Sequence, residues 1–249
     1  MSSDERALQA GLSDPAASSV LASGELEIVG LLPRSSNYTF LVRATGADGA
    51  QALGVYKPQR GEIPLWDFPE GTLCRREVAA YAVSRALGWP NVPPTILRDG
   101  PEGLGSLQAF VTFEPAEHYF TLQQRFVDVF RQVALFDLII NNADRKGGHC
   151  LLDEDGGIWL IDHGLCFSAE PKLRTVIWEY MGEPIPAPLV HDVARFASAI
   201  EGATPVRDEM AALLSSEELL AMQERAASIV HDPVFPAPGG ERPFPWPPV

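Results

Sequence analysis

The stretch IINNADRKGGHCLLDEDGGIWLIDHGLCF, Ile139–Phe167, decides how this chain is read. An apolar segment ends, a polar loop carries Asp144 and Arg145, and two short β-prone runs follow, joined by an acidic, glycine-containing turn. Asp162 stands at the end of the second run with Gly164 behind it. Phosphoryl transfer needs such equipment: one carboxylate to orient an attacking hydroxyl and a second to hold the divalent ion that bridges the phosphates. A hairpin between them would fix both on one wall, and positioning of that kind is what this catalysis consists of. A lone aspartate would read as a cap or turn residue. Two at this spacing, each following an apolar element, read as a site, with Asp144 and Arg145 catalytic and Asp162 a metal ligand.

Upstream, TLQQRFVDVFRQVALFDLIIN has the 3.6-residue periodicity of one amphipathic helix, with Phe126, Val127, Val129, Phe130, Val133, Leu135, Phe136 and Ile139 apolar. Further back, GELEIVGLL, YTFLVRATG and ALGVYK are β-prone runs separated by PRSSN and GADGAQ, the turn signals of an antiparallel meander. TLCRREVAAYAVSRALG follows with helical spacing of Val78, Tyr81, Ala82 and Leu87 and a stop at Gly88. VPPTILRDG and GLGSLQAFVTFEP read as two more strands. Downstream of the deciding stretch, helical patterns return near Leu189–Ile200 and Ser216–Ile229. The division expected is a leader over 1–24 holding at most a short helix, a β-rich lobe with one helix over 25–113, a mostly helical lobe over 114–231, and a proline-rich tail over 232–249. The tail cannot sustain helix or sheet; it lies over the surface in extended form, where it offers aromatic and proline contacts to a protein partner, or is an unstructured end.

The first half holds complementary chemistry. Lys57 ends a β-prone run, where it would pair with nucleotide phosphates, and Glu77 on the next helix would anchor it. Ser35 and Ser36, in the turn after the first strand, would cover phosphates with hydroxyls and backbone N–H groups. The backbone of Gln108, Phe110 and Val111 would meet an adenine edge.

Taken together, GVYKP, REVAAY, GSLQAFV, NNADR and LIDHGLCF resemble the phosphatidylinositol 3-/4-kinase-like branch of the protein-kinase-like fold. The type II phosphatidylinositol 4-kinases, with GVFKP, EVAAY, NTDR and IDNG segments, are similar over Glu25–Phe167, and a group of actinobacterial kinase-like proteins looks closer still. The resemblance implies an α+β, two-lobed protein-kinase-like fold using ATP with Mg²⁺ or Mn²⁺. It makes Lys57 the nucleotide-phosphate lysine, Glu77 its partner, Asp144 the catalytic aspartate, Asp162 the metal aspartate and Asn142 a loop-fixing residue. The family usually has Asn five residues after the catalytic aspartate; this chain has His149. Imidazole is a softer ligand than an amide oxygen. His149 therefore reads as a ligand for a metal such as Mn²⁺, as an imidazolium contacting phosphate, as the mark of a one-metal or weak site, or as a packing residue. His163 reads as structural.

Composition bounds the acceptor. Among 249 residues, 19 Lys+Arg face 33 Asp+Glu, a net charge of −14. That charge disfavours nucleic acid and anionic membranes, and no polybasic run offsets it. The three cysteines, the absence of a signal-like N-terminus and the absence of a long apolar run imply a soluble cytoplasmic chain with reduced thiols and no stable membrane insertion. The expected activity is an ATP-dependent phosphotransferase whose acceptor is a protein Ser/Thr or a small polar molecule rather than a lipid. The alternatives are a nucleotide-binding pseudokinase, a phosphatidylinositol kinase and a nucleotidyl transferase on the same fold.

Overall fold

A computed structural model describes residues 15–33, 37–89, 91–239 and 242–249. The chain is α+β and divides into two compact units, one comprising the described residues up to Tyr81 together with Val92–Thr112, the other Ala82–Asn91 with Phe113–Val249.

The first unit is a five-stranded antiparallel sheet. Strands β1 (Glu25–Leu31), β2 (Phe40–Thr45) and β3 (Gln51–Pro58) form the meander, and β4 (Thr95–Gly100) and β5 (Gly103–Ala109) form a hairpin that joins it in the order β1-β2-β3-β5-β4. Alternation along β3 buries Ala52, Gly54, Tyr56 and Pro58 on one face, the period-2 pattern of a half-covered sheet. That face carries the core of Val42, Ala44, Ala52, Tyr56, Leu107 and Ala109, joined by Val20 and Leu21.

The last two belong to helix α1 (Pro15–Ser23), so the second part of the segment expected as a leader is core material instead. The guanidinium of Arg98 fastens its end by donating to Leu21 O and, at 3.1 Å, to Gly24 O. Residues 1–14 lie outside the described residues, as do Ser35 and Ser36, expected to cover phosphates.

Helix α2 (Leu73–Leu87) begins in the first unit. The carboxylate of Glu62 accepts from the N–H of Leu73 at 3.2 Å and of Cys74 at 2.8 Å, satisfying donors that a helix start leaves unpaired. The helix stops at Gly88, whose φ of +79° suits a residue without Cβ.

The second unit is mostly helical: α3 (Tyr119–Leu122), α4 (Val127–Ile140), α5 (Ala187–Glu201), α6 (Pro205–Leu213) and α7 (Ser216–His231), with the two-stranded ladder of β6 (Cys150–Leu152) and β7 (Ile158–Leu160). Val193, Phe196 and Ile200 of α5 and Leu219, Met222 and Ala226 of α7 are buried where these helices pack together. The single helix expected over 121–141 is broken at 123–126. There Arg125 reaches back to Glu117, ahead of the α3 start, at 2.7 Å. Helix α6 has too few buried positions to show a period, yet its start was signalled: Thr204 caps it by accepting from Arg207 N–H at 3.2 Å, and Pro205 follows.

The tail has neither helix nor sheet strand in its described residues. Cys74, Cys150 and Cys166 are buried, and burial pushes the first two thiols up to about 12, leaving them unreactive at neutral pH. No helix among the described residues is long and apolar enough to cross a membrane.

Candidate active site

Within the first unit, Lys57 at the end of β3 forms an ion pair with Glu77 of α2. Glu77 is buried and Lys57 partly so. A carboxylate out of water needs a cationic partner, and the Glu62 cap holds the helix that supplies it. The stretch expected to meet an adenine edge is largely spent on the sheet. Gln108 sits inside the ladder opposite Val55 and Thr95, and its side chain donates to Thr95 Oγ1 at 2.9 Å. Phe110 donates its N–H to Leu53 O at 3.1 Å. Gln108 is thus corrected from a nucleotide contact to a sheet member; Phe110, just past the end of β5, spends its N–H on Leu53 O, and Val111, buried, lies beyond the ladder.

The second unit holds the cluster. Helix α4 ends at Asn141, whose φ of 50° turns the chain sharply out of the helix. The side chain of Asn141 then donates to Ser168 O and Glu170 O and accepts from Lys172 N–H. Asn142 Oδ1 accepts from Asp144 N–H at 2.9 Å, and its amide donates to Asp137 Oδ1 at 3.0 Å, so Asn142 does fix the loop.

Arg145 departs from expectation. It is fully buried, so it touches no substrate and is corrected from a catalytic to a positioning residue. Its guanidinium donates to the equally buried Asp137 carboxylate at 2.9–3.1 Å. It also donates to Ile161 O at 3.1 Å and meets His163 Nε2 at 2.8 Å. Guanidinium only donates, so His163 Nε2 is the acceptor and its ring is neutral. Ile161 and His163 flank Asp162. The residue beside Asp144 thereby grips both neighbours of Asp162 and sets the separation of the two aspartates. Asp137 escaped the sequence reading; the signal was a carboxylate inside the otherwise apolar run Val133–Ile140, where charge appears only when paired.

The β6–β7 ladder brings in the third member. Pairing of Cys150 with Leu160 continues as Ile161 N–H donating to His149 O at 3.1 Å, which sets His149 beside Asp162. His149 Nε2 lies 3.4 Å from Asp162 Oδ2. One ligand atom from each of Asp144, His149 and Asp162 lies within 4.8 Å of the others. Donors around one octahedral ion with bonds of about 2.1 Å are about 3 Å apart when adjacent and about 4 Å when opposite. Two carboxylates and an imidazole at this separation fit such an ion after small side-chain adjustments.

Asp162 has φ of 62°, a left-handed conformation that a non-glycine residue keeps only where its surroundings dictate it. Lys146 Nζ pairs with Asp144 Oδ2 at 3.0 Å. Burial pushes the Asp144 carboxyl above the ordinary aspartate range, Lys146 draws it back, and Asp162 adds to the rise. Adding Mg²⁺ or Mn²⁺ is expected to raise the melting temperature of the chain, and Asp162→Asn to abolish that shift; a full shift in the variant would remove Asp162 from the ligand set.

The matching of this chain to known proteins follows the same lines. The family model for phosphatidylinositol 3- and 4-kinase matches residues 97–222. Protein Rv2133c of Mycobacterium tuberculosis is 41% identical over 264 residues, covering 92% of this chain and 94% of that protein. Phosphatidylinositol 4-kinase gamma 4 of Oryza sativa subsp. japonica is 32% identical over 130 residues, covering 45% of this chain and 23% of the plant protein. Among solved structures, the Golgi casein kinase with Mn/ADP bound superposes with a TM-score of 0.53 at 13% identity, covering 85% of this chain and 73% of that one. That likeness concerns the fold: a β-sheet lobe followed by a mostly helical lobe. The chain belongs to the phosphatidylinositol 3- and 4-kinase family, and by that membership it is an ATP-binding phosphotransferase, a kinase on a two-lobed protein-kinase-like fold.

Proposed function

We propose that the chain transfers the γ-phosphoryl group of ATP to a hydroxyl of a protein Ser/Thr or a small polar molecule in the cytoplasm. The observation carrying this reading is the convergence of Asp144, His149 and Asp162 within 4.8 Å. Asp144 accepts a hydrogen bond from the acceptor hydroxyl, aims its oxygen at the γ-phosphorus and takes its proton as the new O–P bond forms and the β–γ bridge breaks. Asp162 and His149 would hold a divalent ion, which when bound would supply charge neutralisation at the phosphate oxygens. Lys146 beside Asp144 compensates the negative charge of the loop. In the sheet lobe, Lys57, kept in place by Glu77, takes the nucleotide phosphates.

A protein or small-molecule acceptor is favoured over lipid by the net charge of −14. A bilayer-facing site gains about 1 kcal/mol per basic residue near the anionic surface. The segment after Asp162 offers only Lys172 and Arg174. A second reading, nucleotide binding without transfer, is favoured by the 3.4 Å approach of His149 to Asp162, since an imidazolium there would neutralise the carboxylate meant for the metal.

ATP labelled at the γ or the α position separates phosphoryl from nucleotidyl transfer, and the absence of both with ATP bound selects the second reading. Lys57→Met is expected to weaken ATP binding at least about tenfold, the worth of one charge-assisted hydrogen bond. Unchanged affinity by isothermal titration would remove Lys57 from the nucleotide site.

A further inference from the structure

The tail returns to the loop that holds Asp144 and His149. Near its start Phe235 is buried against Tyr180, with ring centroids 5.7 Å apart, and exchanges backbone hydrogen bonds with Gly182 and Glu183. Farther on, Pro243 O accepts from Thr175 N–H at 3.1 Å and from Trp178 Nε1 at 3.2 Å. Pro248 O accepts from Gly147 N–H at 2.7 Å. A Cβ placed on Gly148 would stand 3.9 Å from Val249 Cγ1, so the last residues lie along Gly147–Gly148, between Lys146 and His149. Thr175 is itself paired with Arg145 in a parallel bridge, so the tail fastens to the loop and to the strip that backs it.

The anchors of 242–249 include three accepted hydrogen bonds, joined by the buried ring of Pro245, and its large aromatic side chains are not among them. Phe244 is 56% exposed and Trp246 88%. Prolines at 243, 245, 247 and 248 restrict the backbone of the segment before it docks, so a few hydrogen bonds suffice to seat it. A segment with so little buried apolar surface also opens readily.

We infer that the loop face formed by Gly147, Thr175 and Trp178 is a docking surface for a proline-rich segment, that residues 242–249 of this chain occupy it, and that the docked tail competes with the acceptor for approach to Asp144. The competition rests on the phosphotransferase reading given above. The docked tail presents no hydroxyl side chain, since 242–249 contain no Ser, Thr or Tyr, so it blocks the loop without being phosphorylated.

The test uses the full chain with Pro243, Pro245, Pro247 and Pro248 all replaced by Gly, which leaves every backbone carbonyl in place. Four added glycines widen the freedom of the undocked tail and should shift docking by about tenfold or more towards release. Three readouts are compared with the unaltered chain: amide hydrogen exchange at Gly147 and Thr175, ATP binding by thermal shift with Mn²⁺, and γ-phosphoryl turnover to water and to a degenerate Ser/Thr peptide library. The expected result is faster exchange at both amides, unchanged ATP binding and turnover raised several-fold. A synthetic peptide of residues 242–249 added in trans should reverse the rise.

Faster exchange with equal or lower turnover would make the tail a brace and overturn the competition. Unchanged exchange would overturn the docking itself. If neither chain binds ATP, the phosphotransferase reading fails and the competition with it, while the exchange at Gly147 still reports whether the tail is seated.

Discussion

Asp144→Asn is expected to lower phosphoryl transfer by about 10²- to 10⁴-fold, the range for loss of a positioned general base. The same variant should melt at a higher temperature than the unaltered chain at neutral pH without added cation. The two effects have one cause. Burial raises the Asp144 pKa in the folded chain above its unfolded value, so the native state binds the proton more tightly than the unfolded state does. At neutral pH the buried charge is therefore a cost, which Lys146 offsets only in part. As pH falls through the folded pKa the carboxyl protonates and the cost is lifted. The stability difference between variant and unaltered chain should accordingly shrink in acid and vanish below the unfolded pKa. For the same reason, the acid limb of the transfer rate should fall at a higher pH than an ordinary aspartate would set. Full transfer in the Asn variant would remove Asp144 from its assigned role, and a lower melting temperature would contradict the burial argument.

The largest stability effect is expected at Asp137. Asp137→Leu leaves the Arg145 guanidinium buried without its carboxylate, which costs about 3–5 kcal/mol. For a chain of this size that is a drop of roughly 10 °C in melting temperature. The double variant Asp137→Leu with Arg145→Met removes both charges together and should recover part of that stability, because apolar replacements of a buried pair are close to neutral while the buried Asn142 amide still lacks the acceptor Asp137 gave it. Phosphoryl transfer should stay low in the double variant, since Met cannot donate to Ile161 O or meet His163 Nε2. Recovered stability with recovered transfer would show that Arg145 does not position Asp162. A calorimetric melt and a γ-label assay on the three chains decide this.

The strand pattern was legible because the sheet lobe alternates with period two around turns made by Asp and Gly, and both signals are local. Helix α2 announced itself through its spacing and through Gly88. The break at 123–126 was not legible, because QQRF carries no helix breaker. Nor was the tail, whose composition excludes helix and strand but says nothing of which donors its carbonyls will meet. Gln108 and Phe110 were misjudged for a related reason. Their place at a strand end was visible, but whether their backbone groups face a ligand or a neighbouring strand depends on β3 and β4, which are distant in sequence.

By itself the sequence determined the order of the strands and of the longer helices, the chemistry available in each, and the family, since these follow from residue type and near-neighbour spacing. Asp144, His149 and Asp162 could be selected because the chain must pass from an apolar helix through a polar loop into a hairpin. Tertiary structure alone decided the direction of each side chain. Arg145 stands next to Asp144 in the chain and would serve a substrate equally well if it faced outwards; it faces inwards because Asp137, eight residues earlier on a buried helix face, requires a counter-charge. The cost of an unpaired buried carboxylate thus turns an apparent catalytic partner into the brace between two aspartates.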